Sequence, residues 1–135
     1  MVEKKNGIIQ EYDGFKLNHE YFCFNGKKEG IHKIYHDNGK LERTSNYKNN
    51  INEGEYKLYH ENGQLKEICN YKNGKKEGEY KSYWENGQPI EIYNYKDDKR
   101  EGEYKLYHND GQLYLICNYK DDKRDGKYKK YYQNG

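Results

Sequence analysis

The sequence predicts an all-β fold: an elongated, single-layer antiparallel meander of β-hairpin repeats, 24 residues per repeat. Three observations carry this. Glycine recurs at that step in two series, Gly30, Gly54, Gly78, Gly102, Gly126 and Gly39, Gly63, Gly87, Gly111, Gly135, and self-similarity at a fixed period is the signature of a repeat array. Each step contains two turn signals, exemplified by Asn62-Gly63 and Asn73-Gly74, a residue pair suited to the positive φ angles of tight hairpin turns. Between the turns lie segments such as EYKLYH and QLKEICNYK. They are rich in Tyr, Ile and Leu and carry no helical stripe, so each reads as a strand.

Taken in order, residues 1–28 follow the pattern loosely, with Asp13-Gly14 and Asn25-Gly26 as turns, and read as a degenerate repeat that caps the array. Residues 29–52, 53–76, 77–100 and 101–124 are full units, and 125–135 is a half unit ending at Asn134-Gly135. The whole chain is then one domain of about eleven strands, roughly 50 Å long at ~4.8 Å per strand. Asp97-Asp98 and Asp121-Asp122 replace Asn73-Gly74 in later units and leave the turn type there open. Within a hairpin, Tyr56 and Leu58 share a face and Tyr59 points to the other. A two-residue turn at Asn62-Gly63 would pair Tyr59 with Lys66. A three-residue loop with a bulge pairs Tyr59 with Leu65 and Lys57 with Glu67, which matches like with like and is preferred. In that register Ile90 sits across from Ser82, and Tyr114 across from Leu106, on one face. A slip of one residue would reverse every face.

Composition excludes several classes. Charged residues make up 36% of the chain, yet the net charge is only +2, so the one-signed basic surface of a nucleic-acid binder is missing. Mean hydropathy is −1.59, which by itself points to disorder. The 18 tyrosines oppose that, because disordered chains lack aromatics, and a folded array with a thin core is expected. The longest apolar run, Leu113–Cys117, is far shorter than the ~20 residues that span a bilayer. The N-terminus, MVEKKNGIIQEYDG, has no apolar signal core. With three cysteines, an odd number, a reducing, intracellular and cytoplasmic setting is expected.

Catalytic and metal readings are weighed and set aside. His36, His60 and His108 are equivalent, with Trp84 in their place in the third unit. Equivalent residues one unit apart are ~10 Å apart in a meander, too far to share a metal that needs ligands at ~2 Å. They read as rim residues. Cys69 and Cys117, two units apart, read as free thiols. Carboxylates such as Glu53, Glu55 and Glu67 recur along the array and read as partners of Lys57 or Lys75 across strands. Glycines serve turns and bulges, and no phosphate loop is present. Lys27-Lys28, Lys75-Lys76, Lys99-Arg100 and Lys123-Arg124 line one edge but are interleaved with acids and read as a solvated rim. No cofactor, metal or enzymatic activity is expected. Tyr56, Tyr59 and Tyr71, which recur in nearly every unit, read as core.

The residues Tyr59-His60-Glu61-Asn62-Gly63 and Asn70-Tyr71-Lys72-Asn73-Gly74-Lys75-Lys76-Glu77-Gly78, with their counterparts, resemble the MORN repeat in its variant form. The resemblance covers about residues 29–135. It implies a curved array of hairpins in a single sheet and a role in protein–protein contacts, sometimes in membrane-lipid association. The variant form is also similar to bacterial antitoxin-like proteins and to repeat proteins of giant DNA viruses.

The expected function is therefore non-enzymatic binding of another protein, as a scaffold or interaction module. The alternatives are an antitoxin or immunity role and peripheral attachment to anionic membranes; nucleic acid is not an expected partner. Frame positions such as Tyr59, Gly63, Asn70, Tyr71 and Lys72 are the same in all full units, whereas other positions drift. Specificity can be written only in the departures. Trp84, Ile90 and Tyr114 form the expected partner-binding patch, because Trp and Tyr are the usual anchors of interfaces. The expected last strand, Lys127–Tyr132, carries Tyr128, Tyr131 and Tyr132 on an open edge. Open edges recruit strands, so edge-to-edge self-association is expected there, or continuation into a longer array.

Overall fold

The computed structural model describes residues 5–133; Met1–Lys4 and Asn134-Gly135 lie outside the described residues. Its strands are β1 (Gly7–Asp13), β2 (Lys16–Phe24), β3 (Lys27–Tyr35), β4 (Leu41–Lys48), β5 (Ile51–Tyr59), β6 (Leu65–Lys72), β7 (Lys75–Lys76), β8 (Gly78–Tyr83), β9 (Pro89–Lys96), β10 (Lys99–Arg100), β11 (Gly102–Tyr107), β12 (Leu113–Lys120) and β13 (Lys123–Lys130). All pair antiparallel in one open sheet, each with its neighbours in the chain. No helix occurs among the described residues. β7 with β8, and β10 with β11, are two halves of one strand interrupted at Glu77 and Glu101, so eleven strands lie along the main path of the sheet. The final strand runs Lys123–Lys130, so Tyr131 and Tyr132 lie beyond it rather than inside it.

The two turn series differ in kind. In the first, His60 N–H donates to the Gln64 carbonyl and Gly63 N–H to the His60 carbonyl, both at 2.9 Å, and Gly63 takes φ +89°. This is the expected three-residue loop, a turn closed by a left-handed glycine. In the second, both central residues have positive φ: Asn73 +50° and Gly74 +81°, Asp97 +49° and Asp98 +67°. The Asp-Asp pairs thus make the same mirror-image turn as Asn-Gly. Asp98 offsets the strain of a left-handed side chain by accepting the Lys76 N–H at 2.6 Å on Oδ1, a bond that glycine could not make.

The expected register holds at Tyr59, which faces Leu65, and fails further along. Leu58 faces Glu67 and Lys57 faces Ile68, because Lys66 is an extra, bulged residue. The same bulge recurs at Ile90 and Tyr114. Ser82 faces Glu91 rather than Ile90, and Leu106 faces Leu115 rather than Tyr114. The physical reason lies in the aromatics. The bulge moves Cys69 opposite Tyr56 and Tyr71 opposite Gly54, so Tyr56 and Tyr71 reach the same face and meet edge-on at 5.9 Å between ring centroids. Without it they would point to opposite sides.

One face therefore carries the core. Cys69, Tyr80 and Tyr93 are buried, and Tyr56, Tyr71, Tyr95 and Tyr104 pack around them. Tyr80 stacks on Tyr93 at 4.6 Å and Tyr93 on Tyr104 at 5.5 Å, contacts worth ~0.5–1.5 kcal/mol each beyond area burial. Lys28, Lys76 and Arg100 lie over Tyr47, Tyr95 and Tyr119, closing the layer with cation–π contacts. Cys23, Cys69 and Cys117 are free and buried, and burial raises the Cys69 and Cys117 thiols above their usual range. The opposite face alternates Lys57, Ile68, Lys81, Ile92, Lys105 and Ile116 across the strands.

Candidate functional site

Each hairpin ends in a pair of positions that the backbone brings together: the residue opening the turn loop and the bulged residue of the returning strand. In the second hairpin they are His36 and Glu42, whose Nδ1 and Oε2 lie 3.7 Å apart. In the fifth they are His108 and Tyr114, with ring centroids 4.8 Å apart. In the fourth, the same two positions hold Trp84 and Ile90. The bulge frees its residue from cross-strand pairing, so the side chain there can change without disturbing the register. That is why this position drifts from Glu42 to Lys66, Ile90 and Tyr114. Trp84 is 42% exposed; Ile90 and Tyr114 are half-buried.

The sequence reading separated the Tyr114 patch from the C-terminal edge. The structure joins them. Tyr131 N–H donates to the Tyr114 carbonyl at 2.7 Å, and the Lys130 ammonium lies over both Tyr114 at 6.0 Å and Tyr128 at 5.8 Å. Tyr128, Tyr131 and Tyr132 are 50%, 39% and 76% exposed, so an aromatic surface continues from the last hairpin turn around β13.

The histidines have a role that sequence reasoning missed. His36 Nε2 donates to the Tyr59 carbonyl at 3.0 Å, and His60 Nε2 to the Tyr83 carbonyl at 2.8 Å. His108 repeats the contact to Tyr131 at a longer 3.4 Å. Each ring thus ties its unit to the next, and the shared step of 24 residues was the only signal of it. Trp84 interrupts this series. A second ladder runs beside it: Asn38, Asn62 and Asn86 donate Nδ2 to the carbonyls of Glu61, Glu85 and Asn109.

The carboxylates also correct the sequence reading. Glu55 pairs with Lys57 on its own strand at 2.7 Å, and Glu79 and Glu103 do the same with Lys81 and Lys105. Glu53, Glu77 and Glu101 instead accept the N–H of Asn73, Asp97 and Asp121 at the second turn of their own unit. At the opposite edge from Trp84, lysines face one another directly: Lys72 and Lys75, Lys96 and Lys99, Lys120 and Lys123. Among the described residues none of these six forms an ion pair. Nor, among the described residues, do three or more His, Cys, Asp or Glu side chains converge on one point.

The fold and its interstrand ladders define a class: open β-hairpin repeat arrays whose variable side chains gather at the turn edges. The chain belongs to the MORN repeat variant family, matching it over residues 28–49, 52–73, 76–97, 100–121 and 124–135. Repeats of this family are generally associated with binding or scaffold roles. No curated protein sequence matches the chain. Among solved structures, one titled "Crystal structure of GtfA/B complex bound to UDP and GlcNAc" aligns with 67% of this chain and 18% of that one, at 14% identity and a TM-score of 0.33. The chain thus spans under a fifth of that relative's length.

Proposed function

We propose that this array is a non-enzymatic protein-binding module, acting inside cells as a scaffold. It engages its partner through the turn edge that carries Trp84, Ile90 and Tyr114, extended by Tyr131. The observation that carries this reading is the division of labour in each unit. The hydrogen-bond ladders use the recurring residues, while the bulged position varies from unit to unit at one edge, where Trp84 also takes the place of a ladder histidine. Large aromatic side chains half-exposed at such an edge are anchors of protein interfaces. The test uses the single tryptophan. Affinity purification from the native source identifies the partner. Trp84 fluorescence should shift to the blue when it binds, and Trp84→Ala should abolish binding with the circular dichroism spectrum unchanged. Binding that survives Trp84→Ala would refute the assignment.

A second reading, attachment to an anionic membrane surface, is favoured by one observation. Three successive Lys–Lys cross-strand pairs stand at the far edge, and like charges directly opposite are destabilising unless an anion lies between them. Sedimentation with anionic liposomes, lost at high salt, would support it.

A further inference from the structure

The sheet is open at both ends, and its two end strands differ in chemistry. Among the described residues β1 and β13 each pair with one neighbour only, so each presents a free row of backbone groups. β13 reads KRDGKYKK, and lysines on an edge strand guard it against pairing with another chain. β1 reads GIIQEYD and has no lysine or arginine. Apolar side chains surround it instead. Ile8 and Tyr12 are 71% and 56% exposed, and Phe15, in the β1–β2 turn, is fully exposed. Ile8 faces Phe22 on β2. Phe22 and Phe24 are also exposed, and they stand where the next unit carries Asn46 and Lys48.

We propose that β1 is a dimer edge: it pairs antiparallel with β1 of a second copy of this chain, across a two-fold axis at Gln10, and joins two sheets into one. Strand direction decides between the possible arrangements. Eleven strands lie on the main path, so β1 and β13 run the same way. Joining β13 of one copy to β1 of the next would make a parallel pair, the less stable ladder, or would turn one tyrosine layer to the opposite side. A two-fold at β13 keeps both layers on one side but sets its lysines against one another, and like charges directly opposite are destabilising. A two-fold at β1 meets neither obstacle.

The register follows from the side chains. Asp13 closes the turn opposite Lys16 and bonds inward, so by strand alternation Ile8, Gln10 and Tyr12 aim their backbone N–H and C=O groups at the open edge. Their side chains share one face, where the Tyr12 hydroxyl donates to Gln10 Oε1 at 3.1 Å. An axis at Gln10 places Ile8 opposite Tyr12 of the second copy, and the reverse, an aromatic–β-branched pair of the kind that stabilises ladders. Since Tyr12 already faces Leu17, an apolar row then runs unbroken from Phe22 through Ile8 to Tyr12 and Leu17 of the second copy. Glu11 meets Ile9 and Asp13 meets Gly7, so no like charges are opposed. A seam one strand long buries on the order of 1,000 Å², at the low end of specific interfaces, and micromolar association is expected. The axis also sets the two Trp84 edges on opposite long sides of the joined sheet, so the dimer holds two partners; that consequence rests on the partner reading above, whereas the dimer does not.

Sedimentation velocity and light scattering of the full chain test this. From low to high micromolar concentration the mass should rise from the 16.4 kDa of one chain to twice that, and stop there. Gln10→Lys and Gln10→Glu each set like charges at the axis, so each should be monomeric alone, with an unchanged circular dichroism spectrum. Mixed, the two should form the dimer again, because residue 10 faces its own copy. Gln10→Cys should form an intermolecular disulfide when an oxidant is added, since opposed Cα atoms lie within disulfide reach. Asp13→Cys, six residues out of register, should not. Trp84→Ala should dimerise as wild type does, which separates this outcome from partner binding. A strict monomer at high micromolar concentration, a dimer that survives Gln10→Lys, mixed variants that stay monomeric, or growth beyond the dimer would overturn the proposal.

Discussion

Tyr80, Tyr93 and Tyr104 stack in the third and fourth units at 4.6 and 5.5 Å, whereas the same strip of the first two hairpins is built from His19, His32, Arg43 and Ser45. From the second hairpin onward the turns and bulges repeat, and only the first hairpin differs, with a two-residue turn that pairs Asp13 with Lys16. What differs is how each region's core responds to its surroundings. In the aromatic region, burial raises the phenols of Tyr80, Tyr93 and Tyr104 far above their usual range, so nothing there titrates near neutrality. In the N-terminal region, burial and then the positive charges of Lys28 and Arg43 push His32 down to about 4, against a weaker pull upward from Glu11. Arg43 Nε lacks a hydrogen-bond partner among the described residues. One repeat frame thus supports an apolar and a polar core side by side, because the frame is held by backbone and edge ladders rather than by the identity of the core.

The sharpest way to break this comparison is to remove a ring from the aromatic side. Tyr93→Ala should cost about 3–5 kcal/mol, as other large-to-small changes of buried aromatics do. Urea unfolding would measure it, and a loss under 1 kcal/mol would mean that the stack contributes little.

The next effect separates the two regions by pH. His32 has a folded pKa of about 4 and an unfolded value near 6.5. Between those values the unfolded chain binds the proton and the folded chain does not. The stability from a neutral His32 is therefore fully present above about pH 6.5 and is lost as pH falls towards 4, by up to ~3 kcal/mol. Hydrogen exchange at pH 7 and pH 4.5 should show the first two hairpins opening while the tyrosine units stay protected. In His32→Tyr that difference should shrink.

A smaller effect tests the inter-unit clamps. His60→Ala should cost about 1 kcal/mol, the net value of one hydrogen bond. Trp84→His should gain a comparable amount by restoring the missing clamp to the Tyr107 carbonyl, while weakening partner binding. Chemical denaturation reads the first change, and a stability gain without loss of binding would count against the Trp84 patch. The smallest effect is expected on the far face. Glu79→Gln breaks an exposed pair with Lys81 and should change stability by less than about 0.5 kcal/mol.

Much of this molecule is legible in its sequence. The glycine series, the Asn-Gly turns and the Tyr-rich segments specify hairpins, their order and the turn positions, because each rests on local backbone preference and a repeated period. The three-residue loop at Asn62-Gly63 and the pairing of Tyr59 with Leu65 also follow from local chemistry. The clamp of His60 on Tyr83 and the contact of His19 with His32 were not legible, since both join residues of different hairpins and depend on side-chain direction.

What the sequence determined by itself is thus the repeat and the sign of each turn: φ > 0 is cheap for Gly, Asn and Asp and costly for most other residues. Only the tertiary structure decided the register beyond the turn. A bulge at Lys66, Ile90 and Tyr114 leaves local geometry almost indifferent, but it decides whether Tyr56 and Tyr71 lie on one face or on two. Burying the aromatic rings together in a single layer favours the bulge, and the bulge in turn carries Ile90 and Tyr114 out to the edge beside Trp84 and His108.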